Sequence, residues 1–270
     1  MSPFDTTLRF PAGKPIAVIS FPRSGTHLTI DGLRHFFRET YRKQRFNQPV
    51  HDLYINLDRL NLEHPYDQIP RQLLEHFAAS PARDIITTHC SISLEQVGPE
   101  YRDFARQVLD ASDLVYVVRD PRPVIASYMA LRPLKYPDSP INLHDFLRTK
   151  IDGFGTPAEN WAMHVSGWID RPGVHIIRFE DMMKDYAAAI ERLGACLNLT
   201  RTNSPIIRYD KPESIRANKI RRYLGRQLSS SIDNLRMKIK TPDWKSAMTP
   251  DDLALIESHA GPLMRRLGYQ

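Results

Sequence analysis

Residues 21–28 read Phe-Pro-Arg-Ser-Gly-Thr-His-Leu, directly after a short apolar run and before a stretch of helical spacing. A strand that turns through such a loop into a helix presents unpaired backbone amides and the positive end of the helix dipole. Arg23 adds a cation, Ser24 and Thr26 add hydroxyls, Gly25 allows close approach of the chain, and His27 completes the segment. Together these residues suit a phosphate or a sulfate. The bland alternative is an ordinary turn with a serine or threonine helix cap, since the GxxxxGK[ST] pattern is not matched.

A second apolar run ends in Val118-Arg119-Asp120-Pro121-Arg122-Pro123 and leads to Ser127, two helical turns further on. A guanidinium fork from Arg119 and a hydroxyl from Ser127 could hold another phosphate; alternatively Arg119 pairs with Asp120 or Glu180 at the sheet edge. A third run closes on Thr88-His89-Cys90. In a parallel sheet all carboxyl ends share one edge, so His89, Arg119 and residues 22–27 can converge in one crevice. An imidazole there could act as a general base. A lone histidine at a strand end can also be structural.

The elements that must position these residues are legible as periodicity. Runs rich in Ile and Val at 16–20, 84–88, 114–118 and 174–179 predict strands. Between them, Ile30, Leu33, Phe37 and Tyr41, and later Tyr186, Ile190, Leu193 and Leu197, carry helical spacing. The alternation predicts a three-layer α/β fold, a central parallel sheet flanked by helices. Without repeats or low-complexity linkers, residues 1–270 are expected to form a single domain. Thr249-Pro250-Asp251-Asp252 has a capping Thr, proline at the first helical position and an acid three residues after the cap, so a last helix should begin there. Leu253, Ile256, Leu263 and Leu267 would dock it. Residues 44–83 and 132–160 are less regular and are expected to form substrate-facing loops. Trp161, His164 and Trp168 fall at i, i+3 and i+7, the spacing of a packed core stripe. Glu180 and Asp181 would favour a helix N-terminus, and no chemistry is assigned to them.

Composition excludes several classes. The cysteines, Cys90 and Cys196, fit no zinc or redox spacing, so neither a disulfide scaffold nor a metal site is expected, and a reducing cytoplasm is the simplest compartment. No signal-like amino terminus and no run of 18 apolar residues occurs, so a soluble protein away from membranes is expected. The net charge of +6 is spread along the chain, which suits a partner with several phosphates. Nucleic acid is not expected, because no recognition signature accompanies the charge.

Taken in order, these segments resemble the sulfotransferases that use 3′-phosphoadenosine 5′-phosphosulfate (PAPS). Residues 21–28 are similar to the family's 5′-phosphosulfate loop, and 119–127 to its 3′-phosphate motif, with Arg and Ser at the same separation. Phe146, Gly155, Trp161, His164 and Trp168 resemble its helix with a tryptophan, histidine, tryptophan pattern. Residues 176–181 (IIRFED) are similar to its following strand, and Asp243-Trp244-Lys245 to its tryptophan segment before the last helix. The resemblance implies direct, in-line, metal-independent transfer of a sulfuryl group to a hydroxyl or amine of a small-molecule or saccharide acceptor, leaving 3′,5′-adenosine bisphosphate (PAP). It implies His89 as general base, and Arg23, with the loop amides and Thr26, stabilising charge on the departing phosphate. Ser24, Gly25, Thr26 and His27 would surround the 5′ end; Arg119 and Ser127 would hold the 3′-phosphate.

Departures from the family are also visible. It often has lysine at Arg23, lysine at Thr87 and tryptophan at Leu28. Its basic glycine segment is not clearly present, though Arg236, Lys238 and Lys245 could substitute. A dimer motif is half matched by Lys245 and Thr249, with Pro250 and Ala254 at the other positions, which leaves the oligomeric state open. Two rivals remain at this level. A phosphate-loop small-molecule kinase would need a lysine where His27 stands and an acid for magnesium. A non-catalytic anion- or nucleotide-binding module would keep the fold without turnover.

Overall fold

A computed structural model describes residues 8–41, 54–61, 69–132, 138, 142–151, 155–206 and 241–270. Five strands, β1 (Ile16–Ser20), β2 (Ile55–Asn56), β3 (Ile85–Thr88), β4 (Asp113–Val118) and β5 (Val174–Arg178), form one sheet in the order β2-β3-β1-β4-β5. Every pairing is parallel. The central β1 is buried along its whole length, which explains why its sequence is a continuous apolar run without alternation.

The two faces of the sheet nonetheless feed two separate cores. In β1, Ala17 and Ile19 join one cluster while Ile16 and Val18 join the other; in β4, Leu114, Tyr116 and Val118 part from Val115 and Val117 in the same way. This is the period of two expected of a strand. The second cluster is closed by α1 (Thr26–Phe36), through Ile30, Leu33 and Phe36, and by α8 (Tyr186–Cys196), through Ala189, Ile190 and Leu193. The first is closed by α3 (Arg102–Asp110), α4 (Pro121–Leu131), α5 (Leu143–Arg148), α6 (Pro157–Ile169) and α10 (Pro250–Arg266). The remaining helices are α2 (Ile69–Ala79), α7 (Phe179–Lys184) and α9 (Trp244–Ala247). The expected three layers are thus present.

Several local expectations need correction. Helix α1 stops at Phe36: Phe37 is extended and bridges to Arg201, and Tyr41 is 49% exposed. Phe37 still enters the core because Gly194 of α8 leaves room for its ring; a Cβ there would lie 2.2 Å from it. Strand β2 went unread because two residues cannot display a period. The segment 132–160 holds α5 and the start of α6, whose Thr156-Pro157-Ala158-Glu159 forms a full capping box. The third, fourth and fifth strands also differ by one residue at an end from the runs 84–88, 114–118 and 174–179.

Helix α10 begins as expected, with Thr249 and Asp252 capping each other reciprocally. Asp252 is also a tertiary tie. Its fully buried carboxylate accepts from Arg148 (2.6 Å) and His144 (2.9 Å) of α5, and from Thr249. Burial alone would raise its pKa, but the bonds from Arg148 and Thr249 outweigh that and pull it down to about 2. A lowered carboxyl contributes stability above its unfolded pKa and loses it as pH falls through the folded one. Asp252→Asn should therefore be less stable than the parent at pH 6, by on the order of 2 kcal/mol. The gap should close as pH falls from about 4 to about 2. Denaturant unfolding across that range checks this, and a gap independent of pH would show that the charge contributes nothing.

Candidate functional site

The parallel register brings the site together at the carboxyl edge of the sheet. Ile19 pairs with Thr88, so the next residues of the two strands, Ser20 and His89, emerge side by side. His89 Nδ1 lies 2.8 Å from the Ser20 carbonyl and 3.3 Å from its hydroxyl. A carbonyl only accepts, so Nδ1 carries the proton and the neutral ring keeps its lone pair on Nε2. Nε2 has no protein partner among the described residues, and His89 borders a cleft lined by Phe21, Pro22, Ser91, Glu95, Tyr128, Ile151, Asn160, Met163 and His164. A neutral imidazole with a free ring nitrogen is the protonation state that general-base chemistry requires.

The loop after β1 turns through two left-handed residues, Arg23 (φ 75°) and Gly25 (φ 109°), before α1 starts at Thr26. No side chain caps that helix and no acid stands in its first turn. Its leading amides therefore have no capping side chain. Thr26 Oγ1 is 2.5 Å from Ser20 Oγ, and the Ser24 hydroxyl is enclosed without a hydrogen-bond partner. Gly25 is required twice over, by its φ and because a Cβ would stand 2.6 Å from the Phe179 ring.

Arg23 connects this loop to the second motif. Its Nε donates to Ser127 Oγ at 2.9 Å, and its carbonyl accepts from Arg119 Nη1 at 3.0 Å. Neither alternative ion pair of Arg119 forms: Asp120 is held by Arg122, and Glu180 accepts from the Asp120 amide and Tyr269. The Arg119 guanidinium instead stacks on Phe179, 4.1 Å from the ring centre, with Nε enclosed and unpartnered. Burial lowers its pKa, with Glu180 and Asp120 opposing. An orphaned guanidinium N–H and an orphaned hydroxyl beside uncapped helix amides are a donor set that fits a multiply phosphorylated nucleotide.

The structure thus unites Arg23, Ser24, Gly25, Thr26, His89, Arg119 and Ser127. It places Arg23 against Ser127, on the side of the second motif. His27 is exposed, with its ring 5.6 Å from Tyr54. Thr87, at the family's lysine position, is buried with its hydroxyl unpartnered. Lys245 sits over Trp244 on α9, while Arg236 and Lys238 lie outside the described residues. Among the described residues, no group of three or more His, Cys, Asp or Glu side chains could hold a metal ion, and no helix is long and apolar enough to cross a membrane.

Sequence reasoning missed Asp58, on the 3-10 turn Leu57–Asn61 after β2. Its carboxylate accepts from the His89 amide (2.9 and 3.2 Å), the Thr88 hydroxyl (2.5 Å) and the Cys90 thiol (3.2 Å). Burial, with Asp58 nearby, pushes the Cys90 thiol well up, so it is no nucleophile. No sequence signal pointed to Asp58.

A family model described as a sulfotransferase domain matches residues 14–268. The chain belongs to the sulfotransferase family. Among solved structures, it is similar to mouse sulfotransferase SULT7A1 complexed with PAP, at 18% identity and a TM-score of 0.55, covering 96% of this chain and 86% of that one. It is also similar to retinol dehydratase in complex with androsterone and the inactive cofactor PAP, at 20% identity and a TM-score of 0.55, covering 95% and 81%. At these identities the likeness establishes the fold. In sequence, the chain matches none of the curated proteins.

Within this sulfotransferase, Gly25→Ala should destabilise by on the order of 1–3 kcal/mol, because it adds a disfavoured φ to a clash with Phe179. Adding Phe179→Leu should recover only part, since the backbone strain stays. Urea unfolding of both variants checks this; a neutral Gly25→Ala would mean that the loop relaxes freely.

Proposed function

We propose that this sulfotransferase moves a sulfuryl group from PAPS to a hydroxyl or amine on a small-molecule or saccharide acceptor, with His89 as the general base. The observation that carries this reading is the His89 Nδ1 bond to the Ser20 carbonyl, which leaves Nε2 as the acceptor atom on a cleft beside the phosphate-type loop. When bound, PAPS supplies the sulfuryl group and PAP is what remains of it. His89 Nε2 takes the proton from the acceptor as its oxygen or nitrogen becomes the nucleophile. The amides at the start of α1, with Thr26 and Arg23, oppose negative charge that builds at the 5′ end. Arg119 and Ser127 serve the 3′-phosphate, and Arg23, bonded to Ser127, spans both ends.

Phe21, Pro22, Tyr128, Ile151 and Met163 give the cleft an apolar body, while Ser91, Glu95 and Asn160 supply polar contacts. This suits a compact organic acceptor that is oriented by a few polar groups. Two free cysteines fit a reducing cytoplasm, and residues 1–270 are taken as one catalytic domain.

PAP should raise the melting temperature equally with and without EDTA, through binding to the folded state alone. Equal or greater stabilisation by ATP with magnesium would favour a kinase. Arg119→Ala should weaken PAP much more than 5′-AMP in calorimetric titrations, because the lost charge-assisted contact serves the 3′ group; equal losses would remove Arg119 from that pocket. His89→Ala should lower turnover about 10²- to 10⁴-fold with little change in PAP affinity. A folded, PAP-binding variant with near-normal turnover would exclude His89 as the base.

A further inference from the structure

The core stripe on α6 contains one polar residue between two tryptophans. Trp161 and Trp168 are fully buried, and His164 between them is 4% exposed, packed edge-on against Phe21. Burying an imidazole costs free energy unless both nitrogens are satisfied. Both are: Nε2 lies 3.1 Å from the His89 carbonyl, and Nδ1 lies 2.8 Å from the Tyr116 hydroxyl. The carbonyl can only accept, so Nε2 carries the hydrogen, Nδ1 accepts, and Tyr116 donates. One neutral tautomer satisfies the whole chain.

We propose that His164 is a positioning residue for His89, holding the main chain of the base from α6 while adding no charge beside it. The proposal rests on the reading of His89 as general base. The His89 amide is held by Asp58 from beyond β2, its carbonyl by His164 from α6, and its ring by the Ser20 carbonyl from β1. Trp168, one helical turn beyond His164, extends the same grip by donating from Nε1 to the Cys90 carbonyl at 3.1 Å. Three bonds from three elements hold the main chain of His89 on both sides and its ring at Nδ1.

Neutrality is the second part of the device. Burial, followed by the neighbouring His89, lowers the His164 pKa to about 4; the hydrogen bond to the His89 carbonyl, and after it the carboxylates of Glu95 and Asp58, offset this only in part. When His89 takes the acceptor's proton, it becomes a cation beside an uncharged neighbour. A charged His164 would oppose that step.

A double-mutant cycle separates positioning from a simple contribution to folding. His164→Phe should lower kcat about 10- to 100-fold, as misplacement of a reacting group does, with PAP affinity unchanged. His164→Gln, whose Nε2 can still donate to the His89 carbonyl, should recover most of that loss. In the His89→Ala background, His164→Phe should cost nothing further. An equal loss in both backgrounds, or wild-type kcat in a folded His164→Phe protein, overturns the proposal.

Near-normal turnover of His89→Ala overturns the base reading itself, in a protein whose His164 is intact. Two measurements do not depend on His164→Phe folding. Tyr116→Phe deletes a hydroxyl that donates to His164 and also accepts from the Phe21 amide; it should lower kcat about 3- to 10-fold, the scale of a neutral hydrogen bond, and the part that acts through His164 should vanish when His89 is absent. Nitrogen-15 NMR of wild-type His164 should show a neutral ring with hydrogen on Nε2 from pH 6 to 8; a charged ring or the other tautomer overturns the proposal.

Discussion

The hydrogen bond from His89 Nδ1 to the Ser20 carbonyl is the contact on which the site depends. It joins the last residue of β1, where the phosphate-type loop begins, to the first residue after β3. Parallel pairing makes it available, because both chains leave the sheet on the same side and in step. It also fixes the tautomer of the neutral imidazole and ties the ring's position to the start of the loop. A shift of one residue in the β1–β3 register would exchange the two faces of the strand and separate these groups.

What keeps that register is apolar packing on both faces of the sheet, and what refines the site is a set of buried polar bonds. Tyr116 lies on β4 with its ring in the first core cluster and its hydroxyl on His164. Asp58 gathers donors from three consecutive residues, Thr88, His89 and Cys90. Such groups add little net stability when satisfied and cost much when left unpaired, so each strongly favours one arrangement over its neighbours. The core supplies the free energy of folding; these bonds decide where the imidazole sits.

The sheet, its direction and most of the candidate site could be read from the sequence because their signals are local. A buried run such as 16–20 announces a strand, and a loop such as 21–28 carries its chemistry in consecutive residues. Arg119 and Ser127 were legible for the same reason, being eight residues apart across one strand-to-helix turn. Asp58 was not, since its role comes from a two-residue strand that places it beside a histidine 31 positions away. His164 was visible as part of a stripe, but periodicity reports only that a face is buried. Whether a buried imidazole is filler or a donor depends on which carbonyl it meets, and that is a tertiary fact.

Arg23 shows how the loop holds a conformation its sequence disfavours. A non-glycine residue at φ 75° costs of the order of 1–2 kcal/mol, and the sequence places an arginine there. Two bonds oppose that cost, one from Arg119 to the Arg23 carbonyl and one from Arg23 Nε to Ser127. Both partners belong to the second phosphate-type motif, so the strained turn of the first is supported by the residues of the second. A lysine could place a charge here but has no planar fork to set against Ser127. The arginine therefore supplies the loop's cation and its connection to α4 together.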